Sequence, residues 1–192
     1  MRDVPVSIYA IRHADKLNKE QALRAFNTTK LKFIEIGVRL NPVTYSEIDL
    51  ELPVPPPQPF ALVGMLRSEF IKKFKVRPGI IHHLACPPIQ SGDMKFIGGT
   101  GGCVGCPKTE WVSVSSFFLP RTLLTITEPT QLQAVGACAA HEIGHVLGAE
   151  HVNEPATSLM NDHLNFFNSF SMVKFSRFSR KQILNFLVSQ GF

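Results

Sequence analysis

The run His141-Glu142-Ile143-Gly144-His145-Val146-Leu147-Gly148-Ala149-Glu150-His151 constrains this chain more than any other stretch, because its histidines sit at spacings that one metal ion can use. On a helix His141 and His145 lie one turn apart on the same face, with Glu142 beside them. Gly148 can adopt the left-handed conformation that ends a helix, so the chain can turn back and bring His151 to the same ion. The fold must therefore supply a helix that stops near Gly148 and a return segment beyond it. Three nitrogen ligands with a fourth position open to water describe a catalytic zinc, whereas structural sites are closed by four ligands rich in Cys. Glu142, next to a ligand, is placed to act as general base.

This HExxHxxGxxH pattern, with Ser158-Leu159-Met160 after it, resembles the zinc-binding motif and Met-turn of the metzincin metallopeptidases. The match covers residues 141 to 160. The resemblance implies a zincin-like α/β (α+β) fold: a twisted, mostly parallel sheet with an antiparallel edge strand, an active-site helix, a Met-turn and a C-terminal helix. It implies one catalytic domain over residues 1–192, with an upper subdomain to about 151 and a lower one over about 152–192. It also implies a zinc-dependent endopeptidase that hydrolyses peptide bonds with a zinc-bound water, Glu142 as base and Met160 as an apolar floor under the ligands. An edge strand on the cleft rim would pair with extended substrate, and Met94, Phe96 and Gly98 are candidates by their order in the chain. Phe166 and Phe167 follow the Met-turn, where the family's specificity wall stands; packing in the core is the alternative for both. Val152 assigns no subfamily, and Asp162 stands where some members carry a metal-approaching tyrosine. A zinc-binding module that recognises peptides or proteins without cutting them is the alternative function, and retention of Glu142 argues against it.

Composition supports a globular domain. The chain has 192 residues, 44% hydrophobic and 18% charged, enough for one core. No stretch is apolar for the length a membrane helix needs. The formal net charge of +5 is scattered, and its densest cluster, Lys72 to Arg77, is short, so no nucleic-acid partner is expected. A peptide substrate and a monomer are the expected states. No signal peptide is evident at the N-terminus, which points to the cytoplasm unless the chain is a processed mature form.

Along the chain, the alternation from Val4 to Ile11 predicts a strand, and Asn18 caps a helix running to about Phe26, broken at Asn27-Thr28-Thr29. A second strand is expected where Ile34, Ile36, Val38 and Leu40 alternate with polar residues. The proline-rich run 51–59 reads as a stiff connector, and Leu62, Leu66, Phe70 and Phe74 form the buried stripe of the next helix. Ile80 to Ala85 is a strand that sends His82 and His83 to opposite faces. Gly98 to Gly102 lacks the Lys-Ser or Lys-Thr of a nucleotide-binding loop. Cys103-Val104-Gly105-Cys106 is open to three readings: part of a second, structural zinc site with Cys86 and His83, a disulfide among Cys86, Cys103 and Cys106, or free thiols. Trp111 to Phe118 reads as a strand and the helix carrying the histidines starts after Thr127. A last helix spans about Arg180 to Ser189, with Ser179 and Gln182 as a capping box and Gly191 at its end.

Overall fold

A computed structural model of the protein describes residues 1–12, 18–51, 59–86, 90–91, 94–95, 98–99, 103–116, 128–151, 158–161 and 173–192. The elements run β1 (Arg2–Ile11), α1 (Lys19–Glu35), β2 (Val38–Ile48), α2 (Pro59–Lys73), β3 (Ile81–Cys86), β4 (Gln90–Ser91), β5 (Met94–Lys95), β6 (Gly98–Gly99), a short 3-10 turn (Lys108–Glu110), β7 (Val112–Ser116), α3 (Glu128–Val146) and α4 (Arg177–Ser189). The main sheet has the order β2-β1-β3-β7-β6. Its first four strands are parallel, and β6 closes it as an antiparallel edge on β7, which is the mixed α/β architecture expected from the sequence.

Alternation along β1 divides the core. Val4, Val6 and Ile8 pack with Phe26 and Phe33 of α1 and with Ala137, Ala140 and Ile143 of α3. Ile11 on the other face packs with Leu62, Leu66 and Phe70 of α2, beside Leu84 and Val112. The sheet is thus a partition, with α1 and α3 on one face and α2 on the other. Beyond α3, Leu159 N–H donates to the Lys174 carbonyl at 2.7 Å, and Ser158 bridges Lys174 in parallel. This joins the segment under α3 to the lead-in of α4.

Three boundaries differ from the sequence expectation. Asn18 and Gln21 do form a reciprocal capping box, but α1 runs through Asn27-Thr28-Thr29 to Glu35. Tertiary contact overrides local preference here: the buried Thr29 hydroxyl donates to the Gly136 carbonyl of α3 at 2.8 Å, and Phe33 is fully buried. The chain leaves α1 through Gly37 at φ +87°, so the second strand starts at Val38 and Ile34 belongs to the helix. At the C-terminus, Ser176 caps α4 through the Ser179 amide at 3.0 Å, one turn earlier than expected. Gly191, at φ +80°, does end that helix. The proline run lies mostly outside the described residues, and Pro59 opens α2.

Candidate metal centre

Helix α3 is buried along nearly all its described length, from Ala134 to Leu147. Small residues let it lie this deep. Gly136 takes the α1 crossing, and a Cβ there would stand 2.1 Å from the Ala25 carbonyl oxygen. Gly144 takes the opposite contact, where a Cβ would meet Met160 Sδ at 2.8 Å and Phe175 Cε1 at 3.0 Å.

The helix ends as the spacing requires. Gly148, at φ +88°, donates to the His145 carbonyl at 2.9 Å, and Ala149 N–H reaches back to the Gly144 carbonyl at 2.9 Å. These two bonds make a Schellman turn, which carries the chain back so that His151 faces the helix. The three Nε2 atoms then converge: His141 to His145 at 3.0 Å, His145 to His151 at 3.0 Å and His141 to His151 at 3.2 Å. Among the described residues this is the one group of three or more His, Cys, Asp or Glu able to share an ion.

Two backbone carbonyls fix the tautomers. His141 Nδ1 donates to the Leu159 carbonyl at 2.6 Å, and His145 Nδ1 to the Ala149 carbonyl at 2.7 Å. Their Nε2 atoms are therefore bare lone pairs pointing at one another. Burial first, then the neighbouring imidazoles, push His141 down to about 3; burial lowers His145 to about 4. Facing lone pairs repel unless a cation lies between them. A tetrahedral zinc with Zn–N bonds of about 2.0–2.1 Å sets its nitrogens about 3.3 Å apart, close to the observed triangle, so these residues fit zinc. His151 is exposed while His141 and His145 are buried, which leaves one side of the triad facing solvent. Glu142 is buried, and that burial pushes its carboxyl up to about 8; a nearby cation favours the ionised form.

Met160 is fully buried and lies against Gly144, directly under the histidine helix. Of the substrate-binding candidates from the sequence, the structure describes Met94 and Gly98. Gly98 forms part of edge strand β6, whereas Met94 belongs to a separate antiparallel ribbon with β4. Phe96, Phe166 and Phe167 lie outside the described residues.

The cysteines are arranged differently from the second zinc site that the sequence allowed. Cys103 and Cys106 are joined by a disulfide, and Cys86 is a free buried thiol on β3. The two CxxC sulfurs satisfy each other, so Cys86, Cys103 and Cys106 are not assembled as ligands. The disulfide loop instead supports the first site. Gly105 N–H gives the His145 carbonyl a second donor at 2.9 Å, beside Gly148 N–H, and Cys106 N–H donates to the Val146 carbonyl at 3.2 Å, so the loop caps the end of α3. Removing the bridge with Cys103→Ser is expected to weaken zinc binding roughly tenfold, as loss of outer-sphere support commonly does; chelator competition measures it.

Sequence reasoning singled out the three histidines that the fold brings together but missed these supports. Leu159 and Ala149 act through carbonyls, which no side-chain pattern reveals. Gln182, expected in a cap, instead brackets Glu150: its Oε1 accepts from Glu150 N–H at 3.2 Å and its Nε2 donates to the Glu150 carboxylate at 3.3 Å. This ties the residue before His151 to α4.

His82 and His83 do face opposite sides of the sheet. His82 stacks on Tyr9, with centroids 5.6 Å apart. His83 bonds Ser113 Oγ and Ser115 Oγ, both at 2.8 Å, and its burial lowers it to about 3. The folded chain thus holds His83 neutral where the unfolded chain, near 6.5, already binds a proton. The resulting stability is complete above pH 6.5 and falls as pH drops toward 3, by about 1.4 kcal/mol per pH unit. Between pH 7 and pH 5 the wild type is expected to lose roughly 2 kcal/mol more than His83→Gln, measured by urea unfolding.

No protein-family model matches the sequence, and no curated protein matches it. Solved structures do match in three dimensions. Archaemetzincin from Methanopyrus kandleri is 15% identical with a TM-score of 0.62, covering 96% of each chain. A zinc-dependent peptidase from Methanocorpusculum labreanum is 15% identical with a TM-score of 0.59, covering 93% of this chain and 99% of its own. Metalloproteinase-II from Bacteroides fragilis is 13% identical with a TM-score of 0.62 over 95% of this chain; the present chain spans 53% of that protein. At these identities the likeness establishes a shared fold, and that fold is one in which zinc peptidases are built.

Proposed function

We propose that this chain is a zinc-dependent endopeptidase of the metzincin type, with His141, His145 and His151 as ligands, Glu142 as general base and Met160 in the role of the Met-turn methionine. The observation that carries the reading is the triangle of converging Nε2 atoms, 3.0–3.2 Å on a side, with an acid on the same helix. A zinc held there supplies Lewis acidity toward a peptide carbonyl and toward water. The Leu159 and Ala149 carbonyls orient the rings of His141 and His145. A Glu142 carboxylate oxygen takes the proton from the attacking water as its oxygen bonds to the carbonyl carbon. The same oxygen gives that proton to the leaving nitrogen as the C–N bond breaks. Burial keeps Glu142 from bulk water, so its proton is passed within the site.

Edge strand β6 ends the sheet order, and an extended peptide adding there would be bound through its backbone. In this reading Met94, Phe96 and Gly98 belong to the rim, and Phe166 and Phe167 to the wall that selects the residue after the cut. The 192 residues act as one catalytic domain on peptides or proteins.

The test is digestion of a diverse peptide mixture by zinc-loaded and chelator-treated protein, read by mass spectrometry. Internal cuts that require zinc are expected, enriched for an apolar residue after the scissile bond. Zinc binding without any cleavage would replace this reading with a non-cutting recognition module.

A further inference from the structure

The face of the sheet opposite the histidine triad carries an opening of its own. Helix α2 stops at Lys73, and among the described residues no helix covers the first halves of β1 and β2 on that side. The result is a cavity of about 500 Å³ whose lining includes Ser7, Tyr9, Thr44, Lys75, Arg77 and His82. Its remaining walls are apolar, with Pro5, Pro42, Phe74 and Ile80 among them.

The hydrogen bonds around His82 determine what the cavity offers. Arg77 N–H donates to His82 Nε2 at 3.2 Å, so the neutral ring carries its proton on Nδ1. That proton is donated to the Tyr9 hydroxyl oxygen, 3.2 Å away. The Tyr9 O–H hydrogen is thus directed away from His82 and is free to donate. Ser7 Oγ and Thr44 Oγ1 lie 2.9 Å apart; one hydroxyl donates to the other, and the second hydrogen of the pair remains available. Two hydroxyl donors and two cationic residues therefore share a lining that, among the described residues, holds no carboxylate. Phe74 flanks the cavity and also approaches Tyr9, with ring centroids 6.5 Å apart, giving an aromatic wall.

We propose that this cavity binds a small organic anion, an apolar or aromatic body carrying one carboxylate, phosphate or sulfonate group. The charged end is met by Arg77, Lys75 and the Tyr9 hydroxyl, and the body by the proline and phenylalanine walls. The site stands independently of the peptidase reading, because the sheet separates it from the triad.

The test is a titration of the folded, zinc-loaded chain with 8-anilinonaphthalene-1-sulfonate, followed by displacement with phenyl phosphate and with inorganic phosphate. Saturable binding of one probe per chain is expected, displaced by phenyl phosphate at far lower concentration than by inorganic phosphate. Arg77→Gln and Tyr9→Phe are each expected to weaken the probe at least fivefold, while Lys181→Gln, an exposed cation on α4, leaves it unchanged. Tyr9→Phe keeps the ring and its packing, so it reports on the hydroxyl alone; circular dichroism confirms that each variant is folded. Non-saturable binding, equal affinity in wild type and both cavity variants, or equal displacement by the two phosphates would overturn the proposal.

Discussion

Glu142→Gln is expected to bind zinc as tightly as the wild type and to lower peptide hydrolysis by at least roughly a hundredfold, the scale of a positioned general base. The amide keeps the shape of the carboxylate and cannot take a proton from water. Glu142 is buried on α3 between Cys138 and His145 and is not among the converging ligand atoms, so the substitution leaves the metal site intact. The measurement is kcat/KM on a peptide cut by the wild type, beside a zinc affinity obtained by chelator competition. Loss of activity together with loss of zinc would mean that Glu142 holds the site rather than moving the proton. Retained activity would assign the base elsewhere.

Gly136→Ala is expected to be the most damaging small substitution in the core. Alanine is the better helix former by about 1 kcal/mol, yet its methyl would stand 2.1 Å from the Ala25 carbonyl oxygen and 2.7 Å from Thr28 Cβ. The obstacle is the backbone of α1, which moves only if the two helices separate. Separation would also break the bond from Thr29 to the Gly136 carbonyl. A loss of about 3 kcal/mol or more is expected in urea unfolding. Gly64→Ala on α2 is the matched control, since a Cβ there meets nothing within 4 Å; it is expected to gain roughly 0.5–1 kcal/mol from helix propensity. Similar values for the two variants would mean that α1 and α3 do not cross this closely.

Much of this architecture was legible because its signals are local. Gly148 marked the end of α3, the period-two alternation marked β1, and the histidine spacing marked the triad; each follows from one stretch read alone. What escaped depends on residues far apart in the chain. The end of α1 is not legible locally, because Asn27-Thr28-Thr29 looks like a breaker until Gly136, on a distant helix, gives Thr29 an acceptor. Ile34 lies in the helix rather than in a strand for the same reason, since Phe33 finds its burial against Phe175, a partner no local window contains. The CxxC admitted metal, disulfide and thiol readings alike, and only the fold shows its loop capping α3. Gln182 has a good capping position in sequence, but the structure gives it Glu150 instead.

X-ray absorption at the zinc edge of the zinc-loaded chain tests the central claim most directly. One zinc per chain is expected, in a shell of nitrogen and oxygen at about 2.0–2.1 Å with imidazole scattering and no sulfur, and His151→Ala should remove one imidazole from it. A sulfur shell at about 2.3 Å would place the metal at the cysteines. That result would contradict the assignment of His141, His145 and His151 as the site around which this chain is built.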